Sequence, residues 1–282
     1  MSAPQENQLS ASVQRLGIVA GGGDIPLLLA EACQKQNIEP FVVVLEGQAD
    51  VADYAEYEHI SAKLGAAGSI IKALKDEDIS DLVMIGRVRR PSLKELKPDL
   101  KTAEFFATEG LKVLGDDGLL RGVRRFLEKE GFTLHGAQSF MPELLMPEGV
   151  LGKHKPSKDQ TSDIERGVAL LKTLGDQDVG QAAVVQNGYI LGIEGAEGTD
   201  ELIKRCGPLQ RKGTGAVLVK LCKPAQDQDI DLPTIGLQTI ENLIEAGFSG
   251  IAAHAGQSFI YDRQGVQDRA NQGKLFVVGI DP

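Results

Sequence analysis

Cysteine is scarce in this chain. Its 282 residues hold three, Cys33, Cys206 and Cys222, with no CxxC pair among them. An odd number of widely spaced thiols suits reduced cysteines in a cytoplasmic protein and argues against a cysteine-built zinc site. Basic charge is also in deficit: 30 Lys and Arg stand against 40 Asp and Glu, a formal net charge of -10. That excludes a sequence-independent nucleic-acid binder, which needs a broad basic face, but it leaves room for a local phosphate pocket. No apolar run reaches the ~18 residues that would span a bilayer. The polar opening MSAPQENQLSASVQ lacks the basic-then-apolar order of a signal peptide. With 42% hydrophobic and 25% charged residues, the composition is that of an ordinary globular protein with a packed core.

The length allows two domains. After a tail over 1–14, Arg15 to Ala20 forms a short apolar strand that enters Gly21-Gly22-Gly23-Asp24 and then a helix opening near Pro26. Proline suits a first helical turn because its missing N–H is not needed there. Pro40 to Leu45 and Asp81 to Ile85 are further strands, and Ser69 to Lys75, Ala103 to Leu114 and Gly118 to Lys129 are helical. Strand, glycine turn, helix, strand, helix, strand is the order of a parallel Rossmann-like sheet. The segment from Gly131 to Pro142 breaks this pattern, so the expected organisation is an N-terminal domain over 15–131, a linker over 132–142 and a second α/β domain with a smaller sheet over 143–282. In that second part Ile164 to Leu174 and Thr239 to Ala246 are helical. Ala182 to Gln186 and Gly188 to Ile193 are strands joined by an Asn187-Gly188 hairpin turn. Ala216 to Leu221, Ser249 to Ala253 and Lys274 to Gly279 complete the sheet.

Five constellations could carry chemistry. Gly22, Gly23 and Asp24 sit between a strand and a helix N-terminus, where backbone N–H groups and the helix dipole favour a phosphate. A full GxGxxG is absent, so a nicotinamide dinucleotide is not indicated. Arg87, within Gly86-Arg87-Val88-Arg89-Arg90-Pro91, leaves a strand at the edge where parallel sheets hold ligands. Gly115-Asp116-Asp117-Gly118 opens a helix, and capping is the simplest role for its acids. Glu194 and Glu197 flank Gly195 and can approach phosphate oxygens or a cation. The loop after Val219, with Lys220, Lys223, Asp227, Asp229 and Asp231, is the most informative. If extended, its three acids point to one side, and oxygen-only ligands favour Mg²⁺ or Mn²⁺ over zinc. A merely solvated acidic loop is the plain alternative. Ala225 interrupts an acid at every second position and is read as the place of a lost acid. His254, ending a strand, is a general base or a structural histidine. No GxSxG elbow is present.

Taken in order, LGIVAGGGDIP, IGRVRRP, GDDGLLRGV, the junction GFTLHG…MPELLMPEGVLG, GIEGAEGTDEL, VLVKLCKPAQDQDIDLPTIG and SGIAAHAGQSFIYDRQGVQDRANQGKLFVVGI resemble the LpxI type of UDP-2,3-diacylglucosamine pyrophosphatase over nearly the whole chain. The resemblance implies Mg²⁺-dependent attack of water on the α-phosphorus, giving UMP and 2,3-diacylglucosamine 1-phosphate (lipid X) in lipid A biosynthesis. It implies a homodimer, cytoplasmic or peripheral at the inner face of the inner membrane, acting on a lipid-linked UDP-sugar. It assigns chemistry to Asp227 and Asp231 and to Glu194 and Glu197, with Asp227, Asp231 and Glu197 as the expected metal ligands. If an acid belongs at Ala225, this chain turns substrate over poorly. His254 stands where the family more often carries an acid. Gly22, Gly23 and Asp24 would hold the head group, and Arg87, Lys220 and Lys223 the phosphate charge. The junction from Phe140 to Pro147 is expected to form a wall for the acyl chains. The rival reading is a non-catalytic Rossmann-type protein that senses a nucleotide sugar.

Overall fold

The computed structural model describes residues 13–89, 96–109, 116–175, 179–223, 229–230 and 232–282, with no side chains described at 109, 116 and 117. The chain divides into two compact units, Met1–Glu143 with Asp229–Asp231, and Leu144–Gln228 with Leu232–Pro282.

The first unit runs β1 (Arg15–Ala20), α1 (Ile25–Lys35), β2 (Glu39–Leu45), β3 (Glu58–Ala62), α2 (Ala67–Asp76), β4 (Asp81–Ile85), α3 (Leu100–Glu109), α4 (Asp116–Lys129) and β5 (Thr133–Leu134). Its strands pair in the order β3-β2-β1-β4-β5, and every pairing is parallel. The apolar run of β2 is buried on both faces, with Val42, Val43 and Val44 fully shielded, as a central parallel strand requires. Strand β3 escapes the sequence reading because it lies at the sheet edge. Its sequence EHISA is half exposed and carries no apolar run. Arg15 ties the lower edge together, its guanidinium 2.6 Å from Glu58 and 3.3 Å from Glu77. Helix α3 begins earlier than the sequence suggests, at Leu100, because the Asp99 carboxylate accepts from the Thr102 N–H at 2.8 Å and from the Gly68 N–H at 2.7 Å. One side chain thus caps two helices. The expected continuation of this helix to Leu114 lies outside the described residues.

The second unit contains β6 (Gly149–Leu151), α5 (Lys158–Gly175), β7 (Ala182–Gln186), β8 (Tyr189–Ile193), α6 (Thr199–Cys206), β9 (Val217–Lys220), β10 (Thr234–Ile235), α7 (Leu237–Glu245), β11 (Gly250–His254), β12 (Phe259–Ile260), α8 (Arg263–Gln272) and β13 (Phe276–Ile280). Its main sheet has six strands in the order β6-β13-β11-β9-β7-β8, and β10 and β12 form a separate parallel pair. The parallel centre is β13-β11-β9; β6, β7 and β8 extend it as antiparallel strands. This sheet is therefore the wider of the two, six strands against five, where a smaller one was expected. The antiparallel margins account for the difference.

Alternation along β9 sorts the core. Val217 and Val219 pack with Ile164 and Leu171 of α5, while Leu218 packs on the other face with Leu202, Ile240, Leu243 and Val266 from α6, α7 and α8. Helix α5 starts six residues before the expected Ile164. Its opening is a capping box: Ser157 N–H donates to Gln160 Oε1 at 2.7 Å and Gln160 N–H to Ser157 Oγ at 3.3 Å. The β7–β8 turn has φ of 51° at Asn187 and 76° at Gly188, the left-handed pair of a tight hairpin. Buried Asp163 accepts from both turn N–H groups, at 2.9 and 2.6 Å. Among the described residues no helix is long and apolar enough to cross a membrane.

Candidate active site

In the first unit, β1 lies where the strand order reverses, between β2 and β4. Ligands of open parallel sheets bind beyond the carboxyl ends of the strands at such a point. Here those ends are stitched together. Gly21 N–H donates to Ile85 O at 2.8 Å, Gly22 N–H to Arg87 O at 2.7 Å, and Arg87 N–H to Gly22 O at 2.8 Å. The approach is too close for side chains: a Cβ on Gly22 would stand 2.6 Å from the Gln48 carbonyl oxygen, and one on Gly21 would stand 2.7 Å from the Arg87 carbonyl oxygen. The glycines thus serve loop packing first, and of the N–H groups expected to face an anion that of Gly22 is already used.

What is left for an anion is the start of α1. Asp24 makes no side-chain cap bond there, and Pro26 follows in the first turn. Arg87 reaches the same place, its Nη2 4.0 Å from where a Gly23 Cβ would be. Gln48, which the sequence reading passed over, braces the arginine loop: its Oε1 accepts from Arg89 N–H at 2.7 Å. Gly22, Gly23, Asp24 and Arg87 are therefore brought together at one strand edge.

In the second unit the acids have partners. Glu194 is 6% exposed. Its Oε2 accepts from the Gln181 N–H at 2.9 Å and its Oε1 from the Thr199 hydroxyl at 2.6 Å. Glu197 accepts from Arg205 Nε and Nη2 at 3.0 and 2.7 Å and from the Gly195 N–H at 3.1 Å. The Arg205 hydrogen bonds hold its carboxyl below the usual range. Against the expectation that these two acids support a metal, both are engaged in fixing the corner between β8 and α6. Lys220 is 6% exposed and donates to Thr234 O at 3.1 Å, so its ammonium is turned inward. Asp229, which clusters with the first unit, pairs with Arg124 at 2.9 Å. Asp227, Asp231 and Ala225 lie outside the described residues, as do the side chains of Asp116 and Asp117. Among the described residues no three His, Cys, Asp or Glu come together as a metal site. The described acids do not fit a resident cation, and any fit rests on Asp227 and Asp231.

Phe140, Met141 and Met146, expected on an acyl wall, are 2%, 1% and 1% exposed and present no apolar surface. The three cysteines are buried and form no disulfide among the described residues, and burial pushes the Cys33 thiol up to about 12, so it stays protonated and inert.

Comparison with known proteins bears on the same residues. The LpxI N-terminal domain model matches 15–144 and the LpxI C-terminal domain model matches 147–278. The UDP-2,3-diacylglucosamine pyrophosphatase LpxI of Caulobacter vibrioides is 37% identical over 285 residues, covering 96% of this chain and 99% of that one. Among solved structures, the biotin carboxylase domain of the Hydrogenobacter thermophilus 2-oxoglutarate carboxylase covers 62% of this chain and 35% of its own, at 10% identity and a TM-score of 0.24, a likeness too slight to bear on the fold. With both family domains matched in order and a relative aligned nearly end to end, the chain belongs to the LpxI family.

Proposed function

We propose that this chain hydrolyses the pyrophosphate of UDP-2,3-diacylglucosamine, releasing UMP and 2,3-diacylglucosamine 1-phosphate in lipid A biosynthesis. The observation that carries this reading is the 37% identity to the Caulobacter pyrophosphatase over 96% of the chain. In the reaction a water oxygen joins the α-phosphorus, and the bond from that phosphorus to the bridging oxygen breaks. The bridging oxygen leaves with the sugar phosphate. The Arg87 guanidinium and the backbone N–H groups of Gly23 and Asp24 would hold phosphate charge at the β1–β4 edge, where the guanidinium fork suits it and the α1 N-terminus adds positive partial charge.

Mg²⁺, or Mn²⁺ in its place, belongs to this reading, with Asp227 and Asp231 as its holders. When bound, such an ion neutralises phosphoryl oxygens. A homodimer working peripherally at the inner face of the inner membrane completes the proposal, since the substrate is a lipid. Release of UMP from purified UDP-2,3-diacylglucosamine tests it, with EDTA and then added Mg²⁺ or Mn²⁺ as the second arm. Chelation should stop turnover and either ion restore it. No UMP from folded, metal-supplied protein would reduce the chain to a nucleotide-sugar binder, and undiminished turnover in EDTA would remove the metal.

A further inference from the structure

The chain has one Asn-Gly pair, Asn187-Gly188, and it forms the turn of the β7–β8 hairpin, with Gln186 paired to Tyr189 across it. Both turn residues are exposed, and both sit at left-handed φ, 51° and 76°, the backbone for which Asn-Gly is the favoured sequence. The same pair carries a chemical liability. Asparagine is among the thermolabile side chains, and a following glycine puts no side chain in the way of attack on its amide. In that reaction the Gly188 backbone nitrogen loses its proton and bonds to the Asn187 side-chain carbonyl carbon. Ammonia leaves, and water then opens the cyclic imide to aspartate or isoaspartate.

Asp163 stands in the way of the first step. It lies in α5 and is 4% exposed, where a carboxylate is costly unless its oxygens are bonded. One oxygen accepts from the Asn187 N–H at 2.9 Å and the other from the Gly188 N–H at 2.6 Å. The Gly188 proton is thus held between the nucleophilic nitrogen and a negative charge. A carboxylate that near opposes the formation of a second anion on the amide nitrogen. The hydrogen bond also keeps the peptide plane from turning that nitrogen towards the Asn187 side chain.

We propose that Asn187 is a latent deamidation site and that Asp163 keeps it closed, so that the hairpin is modified only when the bond from Gly188 N–H to Asp163 is broken. Either product puts a carboxylate beside the buried Asp163. Isoaspartate also lengthens the main chain by a methylene, in a loop whose length sets the strand register. Gln186, the residue before the turn, is 2% exposed and holds the following loop through Arg211 O at 3.0 Å and Thr214 O at 2.7 Å, so a shift in the turn reaches that loop as well. Asn37, Asn242 and Asn271 precede Ile38, Leu243 and Gln272, whose side chains crowd the attacking nitrogen.

The test incubates the full chain at mildly alkaline pH and follows each asparagine by peptide mass spectrometry, with isoaspartate detected by enzymatic methylation. A nearby charge shifts a titration by about one pKa unit or more, which is about tenfold in the amide anion that attacks. Folded parent protein should therefore deamidate at Asn187 about tenfold more slowly, or slower still, than the same chain in urea. Asp163→Asn removes the charge and leaves one acceptor oxygen for two N–H groups. In that variant, checked by calorimetry to be folded, Asn187 should deamidate about tenfold faster than in the parent, while Asn37 and Asn271 keep the parental rate. Three results overturn the proposal: a folded parent that deamidates at Asn187 at the urea rate, a folded Asp163→Asn no faster than the parent, or a rise at Asn37 and Asn271 that matches the rise at Asn187. If Asp163→Asn does not fold, the parent in buffer against urea still decides.

Discussion

Glu194 separates an anchor from a catalyst, and two substitutions tell them apart. Both its oxygens are bonded inside the unit, one to the Gln181 N–H and one to the Thr199 hydroxyl. In Glu194→Gln the amide oxygen can still accept from Gln181, while the amide N–H₂ donates to Thr199 Oγ1, since a hydroxyl works in either sense. Only the charge assistance is lost, about 1 kcal/mol. Glu194→Ala removes both bonds and leaves a backbone donor without a partner in a buried setting, at a cost of about 3–4 kcal/mol. For a cooperative unit of this size each kcal/mol moves Tm by about 3 °C, so Glu194→Ala should melt about 10 °C lower and Glu194→Gln within about 3 °C of the parent. Calorimetry gives those values, and UMP release completes the pair. Glu194→Gln should keep turnover within a few-fold of the parent. A Glu194→Gln protein of parental Tm whose turnover falls a hundredfold would refute the anchoring argument and return Glu194 to the chemistry.

Two further expectations stand beside the chelation test above. Gly22→Ala puts a methyl group 2.6 Å from the Gln48 carbonyl oxygen, a backbone atom that cannot swing away. The first unit should lose about 1–3 kcal/mol by denaturant midpoint, and an unchanged midpoint would show that the loops are not locked together. The second concerns His254, whose burial, reinforced by Lys172 and opposed by Asp281, lowers its pKa from 6.5 in the folded state. The unfolded chain then binds more protons on acidification, so this contribution is fully present above pH 6.5 and is lost as pH falls below it towards the folded value. Tm measured between pH 7.5 and 5 should fall less steeply in His254→Asn than in the parent, and parallel profiles would refute the burial effect.

The parts of the fold that could be read in advance are those where apolar pattern and glycine punctuation coincide. The limits of β1 at Arg15 and Ala20 and of β4 at Asp81 and Ile85 are those the sequence pattern suggests. Each is a buried run closed by glycine. What could not be read lacked that signal. Strand β3 is a polar edge, β10 and β12 are two residues each, and α8, RQGVQDRANQ, buries only Val266 and Ala270. Helix α8 is announced instead by its start, where Asp262 at φ 51° accepts from Gly265 N–H.

Site residues pose a different difficulty, because sequence names a group without showing whether its bonding capacity is already spent. Gly22 offers an N–H to a phosphate until Arg87, 65 positions away, takes it. Glu194 offers two oxygens to a cation until Gln181 and Thr199 fill them. Gln181, directly before a wholly buried strand, carries no motif at all, yet among the described residues its Oε1 is one of the few buried side-chain atoms lacking a partner. A buried polar atom is costly when unpaired, so it finds a partner within the fold, and a carboxylate satisfied in that way has little left for a ligand.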